Sequence, residues 1–249
     1  LRTQTKEQKR HMSIKRVFSK SKVNQYFIEL SIIVVGITLS FAVQSHLKDS
    51  ENTRKQIEAY RRISEDLALD REYLNMAFAN NEIQIAAARE IVAGNLNQTN
   101  FNQIVTYYGT FFNDNTITSI MSTGLLEDFD NQVLISEVLT YYRQDYDFLD
   151  DAARFDEEVA LQNLLLVAAE VRIDSVSTTN ILRQQNNTET AFYSFSDSTK
   201  SMLQKNNNFI GLLQSKIWVK YVYNNFISNA LKRNMSISAK IHGELAALQ

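Results

Sequence analysis

The stretch NQVLISEVLTYYRQDYDFLDDAARFDEEVALQNLLLVAAEVRI, residues 131–173, decides the fold class. Its positions Leu134, Val138, Tyr141, Asp145, Phe148, Ala152, Phe155, Val159, Gln162, Leu166 and Ala169 alternate spacings of four and three without a slip. That period belongs to a helix that keeps one face against other helices. Only Asp145 and Gln162 interrupt the seam, and Leu139, Tyr142, Leu149 and Leu165 widen it beyond a two-stranded contact. The spacing therefore predicts a helix packed in a bundle rather than a free dimer zipper.

The same pattern recurs on both sides. From about Gln44 to Leu96, the residues Ile63, Leu67, Leu74, Phe78, Ile85, Val92 and Leu96 form an amphipathic stripe on a long stalk helix that Gly94 and NLNQTN end. FNQIVTYYGTFF, residues 101–112, predicts a shorter helix, and NDNT at 113–116 breaks it with side chains that suit turns and N-caps. DSVSTTN at 174–180 and QQNNTET at 184–190 read as a connection or a partly helical loop. A last helix is expected from about Thr199 to Leu248, with Phe209, Leu212, Val219, Tyr223, Phe226, Ala230, Ile237, Ile241, Leu245 and Leu248 inward. The 249 residues include no proline and six glycines, so the chain lacks the punctuation that sheets need. An all-α fold follows, in which a stalk helix leads into an antiparallel helical bundle.

Charge and hydropathy divide the chain into three. Residues 1–26 hold eight Lys or Arg against one acid, whereas residues 44–249 hold 18 bases against 26 acids. Between them, residues 26–43 are 18 residues, apolar or small except for Glu29, about 27 Å as helix and enough to cross a hydrocarbon layer. A basic segment ahead of such a run is the positive-inside signal. The expected organisation is a basic cytoplasmic arm (1–25), a transmembrane helix (26–43) and an extracytoplasmic stalk and bundle (44–249). A cleaved signal peptide competes with this reading, since Leu30–Val43 suits an apolar core and Ser40-Phe41-Ala42 a weak cleavage site. Against it, the helical pattern continues past Val43 with no Gly or Pro break. Nucleic-acid binding by the basic arm lacks interleaved aromatics, so no nucleic-acid partner is expected.

Within the span, Glu29, Gly36, Ser40 and Val43 fall at spacings of seven, four and three, along one helical stripe. Gly36 and Ser40 make a small-xxx-small pair of the kind that lets helices approach closely. Glu29, Gly36 and Ser40 are thus the candidate transmembrane association site. Glu29 reads either as an end residue reaching the headgroups or as a buried polar or proton-carrying group.

Signs of catalysis are sparse. His11, His46 and His242 are scattered, and no Glu-x-x-His, phosphate-binding Gly-rich loop or Gly-x-Ser-x-Gly elbow occurs. DYDFLDDAARFDEE at 145–158 carries seven carboxylates and one Arg; it reads as a solvated face, lacking the glycine turn of a calcium loop. With no cysteine, thiol chemistry is excluded. No enzyme, cofactor or metal is expected. The expected function is a membrane-anchored scaffold or interaction protein that contacts lipid and self-associates or holds other envelope proteins. Two alternatives stand beside it: a ligand-sensing bundle signalling through a membrane partner, and an accessory subunit of a proton-driven complex.

YFIELSIIVVGITLSFAVQSHLKDSENTRKQIEAYRRISEDLALDREYL (26–74) and SIMSTGLLEDFDNQVLISEVLTYY (119–142) carry a family resemblance. They resemble a bacterial family of single-pass membrane proteins designated domain of unknown function number six thousand and ninety. Glu29 matches that family's acid at the head of the span, Val34, Gly36 and Ile37 its V-x-G-I run, and Ser122, Gly124 and Leu125 its Ser-x-Gly-Leu turn. Tyr141 matches the tyrosine that ends the following helix. The chain departs from the family's Asn-Asn-Trp past the span, having Gln44-Ser45-His46. The resemblance covers most of residues 26–145. It implies an anchor in the bacterial inner membrane with a periplasmic domain, and it brings no activity.

Overall fold

The computed structural model describes residues 20–106, 112–168, 170–180 and 187–248. Readings that fall on the basic arm at 1–19, on 107–111, on Ala169, on 181–186 and on Gln249 lie outside the described residues. The chain divides into two compact units, Leu1–Thr53 and Arg54–Gln249.

The described part of the first unit is helix throughout, the beginning of α1 (Lys20–Val92). Its large apolar side chains from Tyr26 to Val43 are 52–71% exposed. By length and composition this helix is long and apolar enough to cross a membrane.

The second unit holds the rest of α1, then α2 (Gln98–Val105), α3 (Asn115–Thr123), a 3-10 turn (Leu125–Asp128) and α4 (Gln132–Thr140). A π-helical turn (Tyr141–Asp145) joins α4 to α5 (Tyr146–Val167). A hairpin of β1 (Arg172–Asn180) and β2 (Asn187–Ser194), then α6 (Asp197–Gln204) and α7 (Asn207–Ala247), complete it. Side-chain caps set the boundaries. Asn97, Asn131, Ser196 and Asn206 each accept backbone N–H bonds from the first turn of the helix they precede. The Asn206 cap splits the single C-terminal helix expected from the sequence into α6 and α7. Gly124, at φ 73°, ends α3 in the left-handed conformation that glycine adopts without strain, so the Ser-x-Gly-Leu stretch is a turn.

Three helices carry regular buried seams. On α1 the row is Gln56, Tyr60, Ile63, Leu67, Asp70, Leu74, Ala77, Asn81, Gln84, Ala88 and Ile91, spaced four and three throughout. On α7 it is Phe209, Leu213, Lys216, Lys220, Tyr223, Ile227, Ala230, Asn234, Ile237 and Ile241. On α4 it begins Leu134, Val138 and Tyr141, as the sequence predicts, but beyond Asp145 it moves to Leu149, Ala153, Asp156, Ala160, Asn163 and Val167. The π turn accounts for the displacement. It accommodates one extra residue, so the helix resumes with its inward row one position later. Phe148, Phe155, Gln162 and Leu166, expected inside, are exposed as a result.

Two apolar clusters fill the second unit. The larger joins α1 from Ala59 to Ala77 with α3, α4, the first part of α5 and the C-terminal half of α7. The smaller joins Ala87, Ala88 and Ile91 with α2, Val167, Leu203, Phe209 and Leu213. Residues 174–180 and 187–190, expected to be a connection or partly helical loop, instead belong to antiparallel strands that pair Arg172 with Ser194 through Asn180 with Asn187. Val176, Thr178 and Thr179 on β1 and Thr188 and Thr190 on β2 supply the β-branched residues that favour an extended backbone.

Candidate functional site

The structure places Glu29, Gly36 and Ser40 on one exposed stripe of α1. Gln25 Nε2 donates to Glu29 Oε1 at 3.3 Å, and Ser40 Oγ donates to the Gly36 carbonyl at 2.8 Å. The Ser40 hydroxyl proton is therefore engaged within its own helix. A Cβ added at Gly36 meets no atom of the chain within 4 Å, so nothing inside the unit requires a glycine there. Ile33, Gly36, Ile37, Ser40, Phe41 and Gln44 line a shallow groove along this face. Among the described residues, no packing uses the stripe.

The most unusual chemistry lies between the two apolar clusters, in a polar layer that the hydrophobic pattern does not disclose. Asp156 of α5 and Lys216 and Lys220 of α7 have fully buried side chains. Lys216 Nζ lies 2.9 Å from Asp156 Oδ1, and Lys220 Nζ lies 2.7 Å from Asp156 Oδ2. Both approaches to the carboxylate are ion-pair contacts. Lys220 Nζ also donates to Asn81 Oδ1 at 2.7 Å, Asn81 Nδ2 donates to Asn224 Oδ1 at 2.8 Å, and Asn224 Nδ2 donates to Glu82 Oε1 at 2.6 Å. Asn163 donates to the Val159 carbonyl at 2.9 Å, and Gln84 to the Thr106 carbonyl at 3.1 Å. The layer thus ties α5 and α1 to α7.

Two ammonium groups share one carboxylate in this dry layer, and a net buried charge is costly. Burial pushes Lys220 down to about 8, its pair with Asp156 opposing and the neighbouring Lys216 adding to the fall. Burial also pushes Lys216 down, against the pull of Asp156. Lys220 has Asn81 as well as Asp156 to hold its charge, whereas Lys216 has Asp156. Set between two apolar clusters, such a layer favours one helix register over others.

A second buried group lies near the π turn. Asn113 N–H donates to Asp70 Oδ1 at 2.7 Å, and Asn113 Nδ2 donates to Asp66 Oδ1 at 2.6 Å. Thr116 N–H donates to Asp66 Oδ2 at 3.2 Å. These bonds fix the segment entering α3. Asn234 Nδ2 donates to the Leu67 carbonyl at 2.8 Å and to the Tyr141 hydroxyl at 3.1 Å, and that hydroxyl reaches Asp70 Oδ2 at 3.4 Å. Burial pushes Asp70 up to about 7 despite these hydrogen bonds.

Between α4–α5 and α7 runs an open groove of about 730 Å³. Phe148 and Phe226 stack at its floor with ring centroids 5.6 Å apart and planes 10° from parallel. Arg233 pairs with Asp145 at 3.2 Å and Lys240 with Glu137 at 2.6 Å along its walls. The acidic stretch 145–158 is therefore only partly the solvated face that its composition suggests. Asp156 is interior and Asp145 is largely covered, whereas Asp147, Asp151, Glu157 and Glu158 face solvent. Among the described residues no group of three or more His, Cys, Asp or Glu could hold a metal ion.

The signal for Asp156, Lys216, Lys220 and Asn81 was their spacing. Each falls on a four-three row of its helix, but polar identity masked it. Comparison with protein-family models, with curated proteins and with solved structures returns no match.

Proposed function

We propose that the chain is a single-pass, membrane-anchored helical scaffold of the bacterial envelope, which contacts lipid through residues 26–43 and binds copies of itself or other envelope proteins without catalysing a reaction. The observation that supports it best is the segment from Tyr26 to Val43, apolar on all sides and exposed among the described residues of its unit. The basic arm places residues 1–25 in the cytoplasm and the bundle in the periplasm. The resemblance of residues 26–145 to the single-pass family belongs to the same proposal. A bundle interior closed by a register-setting polar layer suits a scaffold, because it fixes the faces presented outward. The test is fractionation. The full chain should stay in the membrane pellet through an alkaline carbonate wash, and residues 44–249 expressed without the anchor should be released. A full chain found in the supernatant would refute the anchor.

A further inference from the structure

We propose that the outer face of α5 with the adjoining edge of α7 is the surface on which a second copy of this chain docks, about a two-fold axis running along the helices. The proposal rests on the reading of the protein as a self-associating scaffold and names the contact. Because the π turn displaces the inward row of α5, this helix carries apolar side chains on two rows. Leu149, Asp156 and Val167 lie on the inward one, and the other leaves Phe155 53% exposed and Phe148 45% exposed, with Leu166 in line. The row borders the open groove whose floor is the Phe148–Phe226 stack.

The charges at its edges select the occupant. Asp147 on α5 and Lys232 on α7 are both exposed, and neither has a partner within the chain among the described residues. The Asp145–Arg233 pair fixes their heights. At a rise of about 1.5 Å per residue, Asp147 and Lys232 each stand within about 3 Å of the level of that pair; Lys232 lines the groove from α7, and Asp147 directly precedes its α5 residue Phe148. A two-fold axis along the helices exchanges the α5 and α7 edges and preserves height. It brings Asp147 of each copy to Lys232 of the other, two complementary pairs flanking the joined aromatic rows. A lipid surface would not suit this face, since Asp147, Asp151 and Glu158 rim it and anionic headgroups repel acids.

The test uses the full chain in mild detergent. The chain has no cysteine, so single-cysteine variants report without background. Copies carrying Asp147→Cys mixed with copies carrying Lys232→Cys should cross-link to each other through a short bifunctional maleimide, and Phe155→Asp in both should abolish the product. This position-specific readout is blind to association through residues 26–43. Charge reversal supplies the second measurement. Asp147→Lys and Lys232→Glu should each weaken self-association roughly tenfold, and an equimolar mixture should recover it, because both crossing pairs are then opposite in sign again. All of these are exposed positions, and unchanged helical spectra establish that the variants are folded. No cross-link between folded variants, a mixture no better than its components, or a wild type monomeric at every concentration reached would overturn the proposal. Binding of the Phe155 face to anionic vesicles in place of a second copy would overturn it as well. If the cross-link fails while the chain stays in the carbonate-washed pellet, the interface is wrong and the anchor stands. If it forms with a chain that washes off, the anchor is wrong and the interface stands.

Discussion

Asp156→Leu tests the polar layer most sharply. The substitution removes the carboxylate that both Lys216 and Lys220 contact while filling its volume with hydrocarbon. Breaking a buried ion pair by deleting one partner typically costs about 3–5 kcal/mol, because the remaining charge is stranded. Against a domain stability of about 5–15 kcal/mol, that is a large fraction. The companion variant Asp156→Leu/Lys216→Met/Lys220→Met removes the whole layer's charge, and such replacements are commonly neutral or stabilising by about 1–4 kcal/mol. The wild type adds a pH signature. Lys220 in the fold lies near 8, below its ordinary 10.5, so the unfolded chain holds more protons between those values and stability rises with pH across that window. The share from Lys220 is about 3 kcal/mol, at about 1.4 kcal/mol per pH unit of displacement, and Lys216, also pushed down, adds to it in the same sense. Urea unfolding of the full chain in mild detergent, followed by circular dichroism from neutral pH to about pH 10.5, reads all three effects. A loss below about 1 kcal/mol for Asp156→Leu, or a triple variant less stable than the single one, would refute the assignment of a stranded charge.

Asp70 gives the opposite slope. Its folded value near 7 lies above its ordinary 3.8, so its contribution is fully present below about pH 4 and is lost as pH rises through 7; Asp70→Asn should flatten unfolding free energy over that range. Gly36→Ile should weaken association of the anchor segments while Glu29→Gln leaves most of it, measured by cross-linking within the span; equal oligomer populations for wild type and Gly36→Ile would remove the packing role of that stripe. Deleting Gln144, an exposed residue of the π turn, should convert Tyr141–Asp145 to ordinary helix and change stability by no more than about 2 kcal/mol, because it removes the residue the wide turn absorbs. Deleting Glu157, exposed but inside regular α5, should unfold the domain by throwing Asn163 and Val167 out of register.

What the sequence could disclose divides by residue type. Leu134, Val138 and Tyr141 announced their face because apolar side chains at four-three spacing seldom arise outside a packed helix. The α1 row was only partly legible, since Gln56, Asp70, Asn81 and Gln84 occupy interior positions that a hydrophobic pattern counts as exposed. Lys216 and Lys220 were hidden in the same way. An uninterrupted heptad also concealed the π turn. Phe148 and Phe155 continue the α4 period without a break, and only the three-dimensional structure distinguishes their row from the packed one beginning at Leu149. The hairpin is not legible in the sequence because Ser, Thr and Asn suit both loops and strands. The stripe of Glu29, Gly36 and Ser40 was legible as geometry, because helical spacing alone sets it.

The measurement that bears most directly on the account is the location of the bundle. A reporter enzyme active only outside the cytoplasm, fused after Gln249 and expressed with the full chain, should be active and remain with the membrane fraction, because the basic arm precedes the apolar segment at 26–43. An inactive reporter on a stable, full-length protein would contradict it.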